Sequence, residues 1–325
     1  MSTFRARRAV AIGGGTGLPA VLSCLVESGF DTTAVVTVAD DGGSSGVLRE
    51  ELGILPPGDF RNCLVALAEP GNVLASAFQY RFAEGSGLAG HALGNLVLAA
   101  LADMSGSFPE AVEQAGALLG VRGRVLPSTL VDIRLKATDT AGKPIAGQAA
   151  IAVSERPIER VCVEPAYPSA YPPALEAIRE ADVVVVGPGS LFTSILPNFL
   201  VDGVAHALRE SAATRIYVCN VANQRGETGG MDAADHVNAL LSHGLSGAID
   251  MAIVHVAESV PGAEDWCLRY DDFETLCEPV VGTPDVQTRI EELGVRVYAG
   301  DVVDPVDRRR HSSAKLCRAI GKVIA

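Results

Sequence analysis

Aromatic side chains are scarce in this sequence: nine Phe, six Tyr and one Trp among 325 residues. That shortage argues against a barrel with aromatic girdles. The seven cysteines (Cys24, Cys63, Cys162, Cys219, Cys267, Cys277 and Cys317) include no C-x-x-C and no Cys/His spacing that would cage zinc. They read as reduced thiols of a cytoplasmic protein. Long apolar runs are also missing. The uncharged stretch 86–102 is broken by glycines, His91 and Asn95, and no uncharged window is apolar enough to span a bilayer, so membrane insertion is not expected. Arg5, Arg7 and Arg8 precede an apolar stretch, as in a signal peptide, but Gly13 to Gly17 interrupt it, and cleavage is not expected. Positive charge is in deficit: 26 Lys and Arg against 39 Asp and Glu leave a net charge of −13, which weighs against a nucleic-acid partner. Both ends are nonetheless basic on an acidic body: residues 1–8 carry three arginines and no acid, and 301–325 carry six basic against three acidic side chains. No H-E-x-x-H motif is found, and no nucleophile has a convincing base, so the catalytic residues are unassigned.

What is present is aliphatic and glycine-rich. With 48% hydrophobic residues and 34 glycines, the chain suits Val/Ile strands joined by glycine turns to Ala/Leu helices. Ala9 to Ile12, Leu18 to Ser28 and Thr33 to Val38 read as strand, helix, strand. A helical insertion follows, with helices near 45–52, 60–69, 72–83, 91–103 and 109–119. Residues 123–163 contain strand-like runs, Val131 to Lys136 and Ala149 to Val153, and read as a small β-subdomain. Asp182 to Val186, Arg215 to Val221, Met251 to Val256 and Arg296 to Ala299 supply further strands, and Ser313 to Ile324 a closing helix. The expected architecture is one α/β domain over 1–325, doubly wound around a mostly parallel sheet.

Three strand ends run into glycine-rich or polar loops. Gly13-Gly14-Gly15-Thr16-Gly17 opens a helix and leaves backbone N–H groups bare for a phosphate. It is neither G-x-G-x-x-G, because Leu18 takes the third glycine position, nor a P-loop. The second loop, Gly187-Pro188-Gly189-Ser190 with Thr193-Ser194, resembles another anion nest. The third, 220–230, offers Asn220, Asn223, Gln224, Glu227 and Thr228 to a base or sugar, or is simply a polar loop.

Between the first two loops, Asp40-Asp41-Gly42-Gly43-Ser44-Ser45-Gly46 ends the second strand. Its two carboxylates suit a ribose or Mg²⁺ beside a diphosphate, or an Asx-turn with Ser44 or Ser45 as helix cap. Asp59 reads as a helix cap, with Arg61 and Asn62 in the first turn. An arginine there opposes the helix dipole unless an anion is near, which marks Arg61 as a ligand clamp. His91 and Asn95 share a helix face at i, i+4, as ligand groups or as a satisfied core pair. Arg308, Arg309, Arg310 and His311 precede the last helix, either as a solvated run or as a cover for a diphosphate, and Ser312 and Ser313 beside them are candidate phosphorylation sites.

Taken in order, the glycine loop through Leu18, Ala39 to Gly46, Pro56 to Asn62, His91-Ala92-Leu93-Gly94-Asn95-Leu96, Gly187 to Ser194 and Gly226-Glu227-Thr228 resemble the gluconeogenesis factor (YvcK-type) family, which is related to CofD, the 2-phospho-L-lactate transferase of coenzyme F420 synthesis. The resemblance spans about 9–323. It implies a Rossmann-like fold, a cytoplasmic bacterial protein, a role linking carbon metabolism to cell-wall synthesis and cell shape, and a ligand of the UDP-N-acetylglucosamine type. It places Gly14, Thr16 and Gly17 at the diphosphate, Asp40 at the nucleoside or metal side, and Asn62, Asn95, Ser190 and Arg310 in the pocket, although Ser312 stands where the family usually has Asp after its Arg-His pair. Ser45-Gly46-Val47 and Pro57 to Asn62 depart from the transferase branch and favour a regulator acting on a protein partner. Two alternatives stay open: a CofD-like transferase with Mg²⁺ on Asp40 and Asp41, and an NAD-binding protein with Asp40 on the ribose. A homo-oligomer built through the β-subdomain is also compatible with the pattern.

Overall fold

A computed structural model of the chain describes residues 6–224, 226–256 and 278–324; Arg5, Cys267 and Cys277 lie outside them. Its strands are β1 (Arg8–Gly13), β2 (Asp31–Val36), β3 (Arg124–Pro127), β4 (Arg134–Asp139), β5 (Pro144–Ala146), β6 (Ile158–Glu164), β7 (Val183–Val186), β8 (Thr214–Val218), β9 (Met251–His255) and β10 (Arg296–Gly300). Seven of them form one sheet in the order β10-β9-β8-β7-β1-β2-β3, with every pairing parallel. Strands covered on both faces need no polar alternation, which is why β7 is four consecutive valines, all fully buried. The doubly wound α/β expectation holds.

The sheet is wound outward in two directions from its middle. From β1 the chain moves to β2 and β3 on one side; it then returns to pair β7 against the other side of β1 and continues through β8 and β9 to β10. The carboxyl ends of β1 and β7 therefore diverge into loops that run opposite ways, the place where such sheets form a crevice.

Five helices separate β2 from β3: Gly43–Leu52, Gly58–Leu67, Val73–Gln79, Leu93–Ser105 and Phe108–Leu119. The fourth starts later than its apolar pattern predicts. Arg81 and Ala92 form an antiparallel bridge, and Phe82 N–H donates to the His91 carbonyl at 3.0 Å, which holds His91 extended before the helix. His91 and Asn95 thus do not share a helix face.

The β-subdomain is smaller than 123–163. Residues 124–127 join the main sheet, and the separate antiparallel sheet is β5-β4-β6, within which the predicted strand at 131–136 shifts to Arg134–Asp139. The other predicted strand, Ala149 to Val153, is instead the helix Gln148–Ala152. Its free N–H groups explain the change: the Asp41 carboxylate accepts from Gln148 N at 2.9 Å and Ala149 N at 2.8 Å. The expectation of seven reduced thiols also fails at one pair. Cys24, on the helix Leu18–Glu27, is disulfide-bonded to Cys317 on the helix Ser313–Ile324, with Cα atoms 5.2 Å apart; Cys63, Cys162 and Cys219 are free. No helix among the described residues is long and apolar enough to cross a membrane.

Candidate functional site

The β1 and β7 loops meet main chain to main chain. A Cβ on Gly17 would lie 2.6 Å from the Pro188 carbonyl oxygen and 2.8 Å from its carbon, so only glycine allows the two loops to close on each other. Gly187, with φ +76°, makes the turn that brings the second loop in, and a side chain there would meet Ile195 and the Val218 carbonyl. Asn220, at the end of β8, locks this arrangement with a reciprocal pair: Gly189 N–H donates to Asn220 Oδ1 at 3.2 Å, and Asn220 Nδ2 donates to Gly189 O at 2.8 Å. Asn198 closes it from below, donating to the carbonyls of Gly13, Ser194 and Ile195. Sequence reasoning missed Asn198, which the structure buries fully; a lone asparagine inside the apolar run Ile195 to Val201 was the available signal.

Above this contact opens a cleft of about 960 Å³. One side is Thr16, Gly17, Gly189 and Ser190. The other is Asn62 and Gln79 from the helical insertion, and the floor and rim carry Asn220, Asn223, Gln224, Arg309, Arg310 and His311. The three loops singled out by sequence thus do converge. Gln79 and Asp304, also lining the cleft, carried no sequence signal beyond being polar. Gly14 and Gly15 lie just behind the lip: a Cβ on Gly14 would meet Asp59 and Thr37, and one on Gly15 would approach Ser194.

The acidic residues divide differently from expectation. Asp40 accepts from Gly42 N–H at 3.1 Å in an Asx-turn. Gly42, not Ser44 or Ser45, is the N-cap of the helix that follows. Burial raises the Asp40 carboxyl above its ordinary value against hydrogen bonds from Gly42 and Ser45. Asp41 is committed to the helix at 148–152, so its carboxylate is already occupied. Asp59 is not a cap: Pro57 holds that position, and the Asp59 carboxylate accepts from the Gly15 N–H of the first glycine loop. Burial and then repulsion from Asp40 push it up to about 6. Ser45 Oγ accepts from Gly58 N–H at 3.1 Å, tying the two acid-bearing loops together. Among the described residues no three His, Cys, Asp or Glu side chains gather to hold a metal ion.

Arg61 is not placed as a clamp on the ligand. It is 6% exposed, and its Nη1 and Nη2 donate to Asn95 Oδ1 at 3.0 Å and Asn62 Oδ1 at 2.8 Å. Asn95 in turn donates to Ser44 Oγ at 3.0 Å, and Ser44 Oγ lies 2.9 Å from His91 Nδ1. His91 and Asn95 are brought together, but through Ser44 rather than through helical spacing.

Glu227 and Thr228 stand behind the cleft. Glu227 is fully buried; it accepts from Phe192 N–H at 3.2 Å and from the Thr193 hydroxyl at 2.6 Å, and burial pushes it up to about 7. Thr228 Oγ1 accepts from Gln224 N–H at 3.0 Å and shapes the loop. At the rim, Arg310 is 67% exposed and pairs with Asp307 at 3.3 Å. His311 lies against the Cys219 carbonyl, 3.0 Å away, and burial lowers it to about 4.

Compared with known proteins, residues 9–303 match the family described as 2-phospho-L-lactate transferase CofD. The chain is 45% identical over 308 residues to the gluconeogenesis factor of Bacillus subtilis, covering 94% of each. It is 41% identical over 318 residues to the gluconeogenesis factor of Halalkalibacterium halodurans, covering 98% of this chain and 96% of that one. A crystal structure of a UPF0052 family protein from Bacillus halodurans matches with a TM-score of 0.89 at 41% identity, over 98% of this chain and 99% of that chain.

Proposed function

The chain belongs to the CofD family, in its gluconeogenesis-factor branch, and from that premise we propose that the cleft binds a nucleotide-sugar of the UDP-N-acetylglucosamine type. Through that ligand the protein regulates a protein partner, linking carbon metabolism to cell-wall synthesis and cell shape. The observation that carries the reading is the main-chain contact between Gly17 and Pro188 at the β1/β7 crevice, opening into a cleft of about 960 Å³ edged by amides and arginines. Main-chain N–H groups at a helix start suit a diphosphate, the amides suit a base and sugar, and Arg309 and Arg310 add positive charge at the rim.

A transferase is the second reading, and the Asp40–Asp59 pair favours it. Mg²⁺ is commonly held by one or two carboxylates with substrate phosphates and water supplying the rest. Asp40 and Asp59 fit that pattern, because Asp40 raises the cost of ionising the buried Asp59 and a cation relieves it. Asp41 does not, being committed elsewhere. Bound Mg²⁺ neutralises charge on a leaving diphosphate; the chain's own residues hold the phosphates at the glycine loops and keep Asp59 against Gly15.

Calorimetric titration of ligand-free protein with UDP-N-acetylglucosamine and with NAD⁺, each with and without Mg²⁺, tests both readings. Metal-indifferent binding of intact UDP-sugar is the expected result. No binding of any nucleotide-sugar overturns the proposal, binding of NAD⁺ alone makes the cleft a dinucleotide site, and Mg²⁺-dependent nucleotide release that Asp40→Asn abolishes makes the protein a transferase.

A further inference from the structure

The network around Arg61 is directed outward from the guanidinium. A guanidinium donates and never accepts, so the atoms facing Nη1 and Nη2 must be the oxygens of Asn95 and Asn62. Asn95 then presents Nδ2, which donates to Ser44 Oγ at 3.0 Å. Among the described residues the remaining neighbour of that hydroxyl is His91 Nδ1 at 2.9 Å. Ser44 Oγ has a second lone pair and could accept there too, but only a Ser44 proton directed at Nδ1 is used within the network, and in that arrangement Nδ1 accepts. A neutral imidazole that accepts at Nδ1 carries its proton on Nε2. On the other branch, Asn62 Oδ1 also accepts from Gln79 Nε2 at 3.3 Å, so the amide end left over on the cleft side of the pair is a donor.

We infer that Arg61 is a positioning residue: it fixes Asn62 Nδ2 as a hydrogen-bond donor and, through Asn95 and Ser44, His91 Nε2 as a donor behind the cleft lining, so the Asn62 end of the site takes a ligand group that only accepts, a phosphoryl or acyl oxygen, and refuses an ammonium. The donor polarity belongs to the free protein, while its use in recognition rests on the nucleotide-sugar reading above. Asn62 lines the cleft, and His91 is half-buried with all its bonding through Nδ1 among the described residues.

The polarity is read from ¹⁵N NMR of the full, ligand-free chain at a pH where His91 is neutral, its resonances assigned by their loss in His91→Gln. The wild type is expected to carry its proton on Nε2. In Asn95→Asp the new carboxylate accepts from both Arg61 and Ser44, so His91 must donate through Nδ1 and its tautomer reverses. Ser44→Ala, which removes the bridge and puts no charge beside Arg61, releases the ring to a mixture of both forms and decides the matter if Asn95→Asp does not fold. A wild-type ring protonated on Nδ1, or a tautomer indifferent to both substitutions, overturns the inference. For recognition, Asn62→Asp is expected to weaken UDP-N-acetylglucosamine binding about tenfold or more, the scale of one hydrogen bond turned into a repulsion, and unchanged affinity removes Asn62 from ligand recognition. A wild type that ignores the UDP-sugar sinks the nucleotide-sugar reading and leaves the tautomer experiment to judge the relay.

Discussion

The two walls of the cleft are made of different material. One is main chain: the loops after β1 and β7 touch through Gly17 and Pro188, and Asn220 pins Gly189 from the third loop. The other is side chain: Asn62 and Gln79 line it, and behind them a line of donors runs from Arg61 through Asn95 and Ser44 to His91. A main-chain wall offers the same N–H groups whatever the neighbouring side chains are, so it suits the constant part of a ligand, a phosphate. A side-chain wall is set by which atom of each amide faces outward, so it suits discrimination. The first fails when a carbon is added, the second when a proton changes place.

Adding that carbon is the strongest test of the difference. In Gly17→Ala the new methyl would sit 2.6 Å from a carbonyl oxygen of the opposite loop, and main chain has no rotamer with which to move away. Overpacking of this kind costs about 1–3 kcal/mol or more, and the parting of the loops is expected to abolish ligand binding. Gly321→Ala is the control: nothing lies within 4 Å of its added carbon inside the helix Ser313–Ile324, and replacing a helical glycine gains about 0.5–1 kcal/mol. Urea denaturation and ligand titration on the two variants give opposite signs of stability change. Full stability and affinity in Gly17→Ala would show that the loop contact does not build the wall.

Beneath the main-chain wall, Glu227 supplies a pH dependence of folding. Burial pushes its carboxyl from an ordinary 4.5 up to about 7 while Phe192 and Thr193 donate to it. The folded chain therefore binds this proton more tightly than the unfolded chain. Its stabilising contribution is whole below about 4.5 and is lost as pH rises to about 7, a change on the order of 3 kcal/mol. Glu227→Gln is expected to remove that slope, read as the difference between the two proteins' denaturation free energies across this range. His311, lowered to about 4 by burial, slopes the opposite way and cancels in the difference. Parallel profiles for the two proteins would place the Glu227 proton elsewhere.

The main-chain wall was legible in the sequence and the side-chain wall largely was not, for a physical reason. A glycine run at a strand end has few structural uses, so Gly13 to Gly17 and Gly187 to Gly189 announced both the fold's switch point and its anion loops. The pattern of buried valines and helical leucines likewise fixed the doubly wound sheet. An amide's direction, in contrast, is decided by partners far along the chain: Arg61 and Asn95 are 34 residues apart, and Ser44 and His91 are 47 apart. Local reading placed His91 and Asn95 on one helix face, made a clamp of Arg61 and paired Asp40 with Asp41, whereas tertiary structure hands Asp41 to a short helix and sets Asp59 beside Asp40. Cys24 and Cys317, separated by 293 residues, were invisible as a pair for the same reason.

The smallest effect is expected where neither wall reaches. Arg310 is 67% exposed and its ion pair with Asp307 lies at the surface, where such pairs contribute about 0–1 kcal/mol. Arg310→Ala should leave folding stability within about 0.5 kcal/mol of wild type. Its charge still faces an anionic ligand across solvent, so UDP-sugar affinity is expected to fall about two- to fivefold at low salt, an effect below about 1 kcal/mol. At about 1 M salt the screening length shrinks to about 3 Å and the difference from wild type should vanish. Titration of both proteins at two ionic strengths separates the outcomes. A loss of a hundredfold that persists in high salt would mean that Arg310 leaves the rim and closes over the diphosphate in the complex. The segment 308–311 would then count as a third wall, assembled by the ligand itself, and the contrast between a main-chain wall and a side-chain wall would describe only the open cleft.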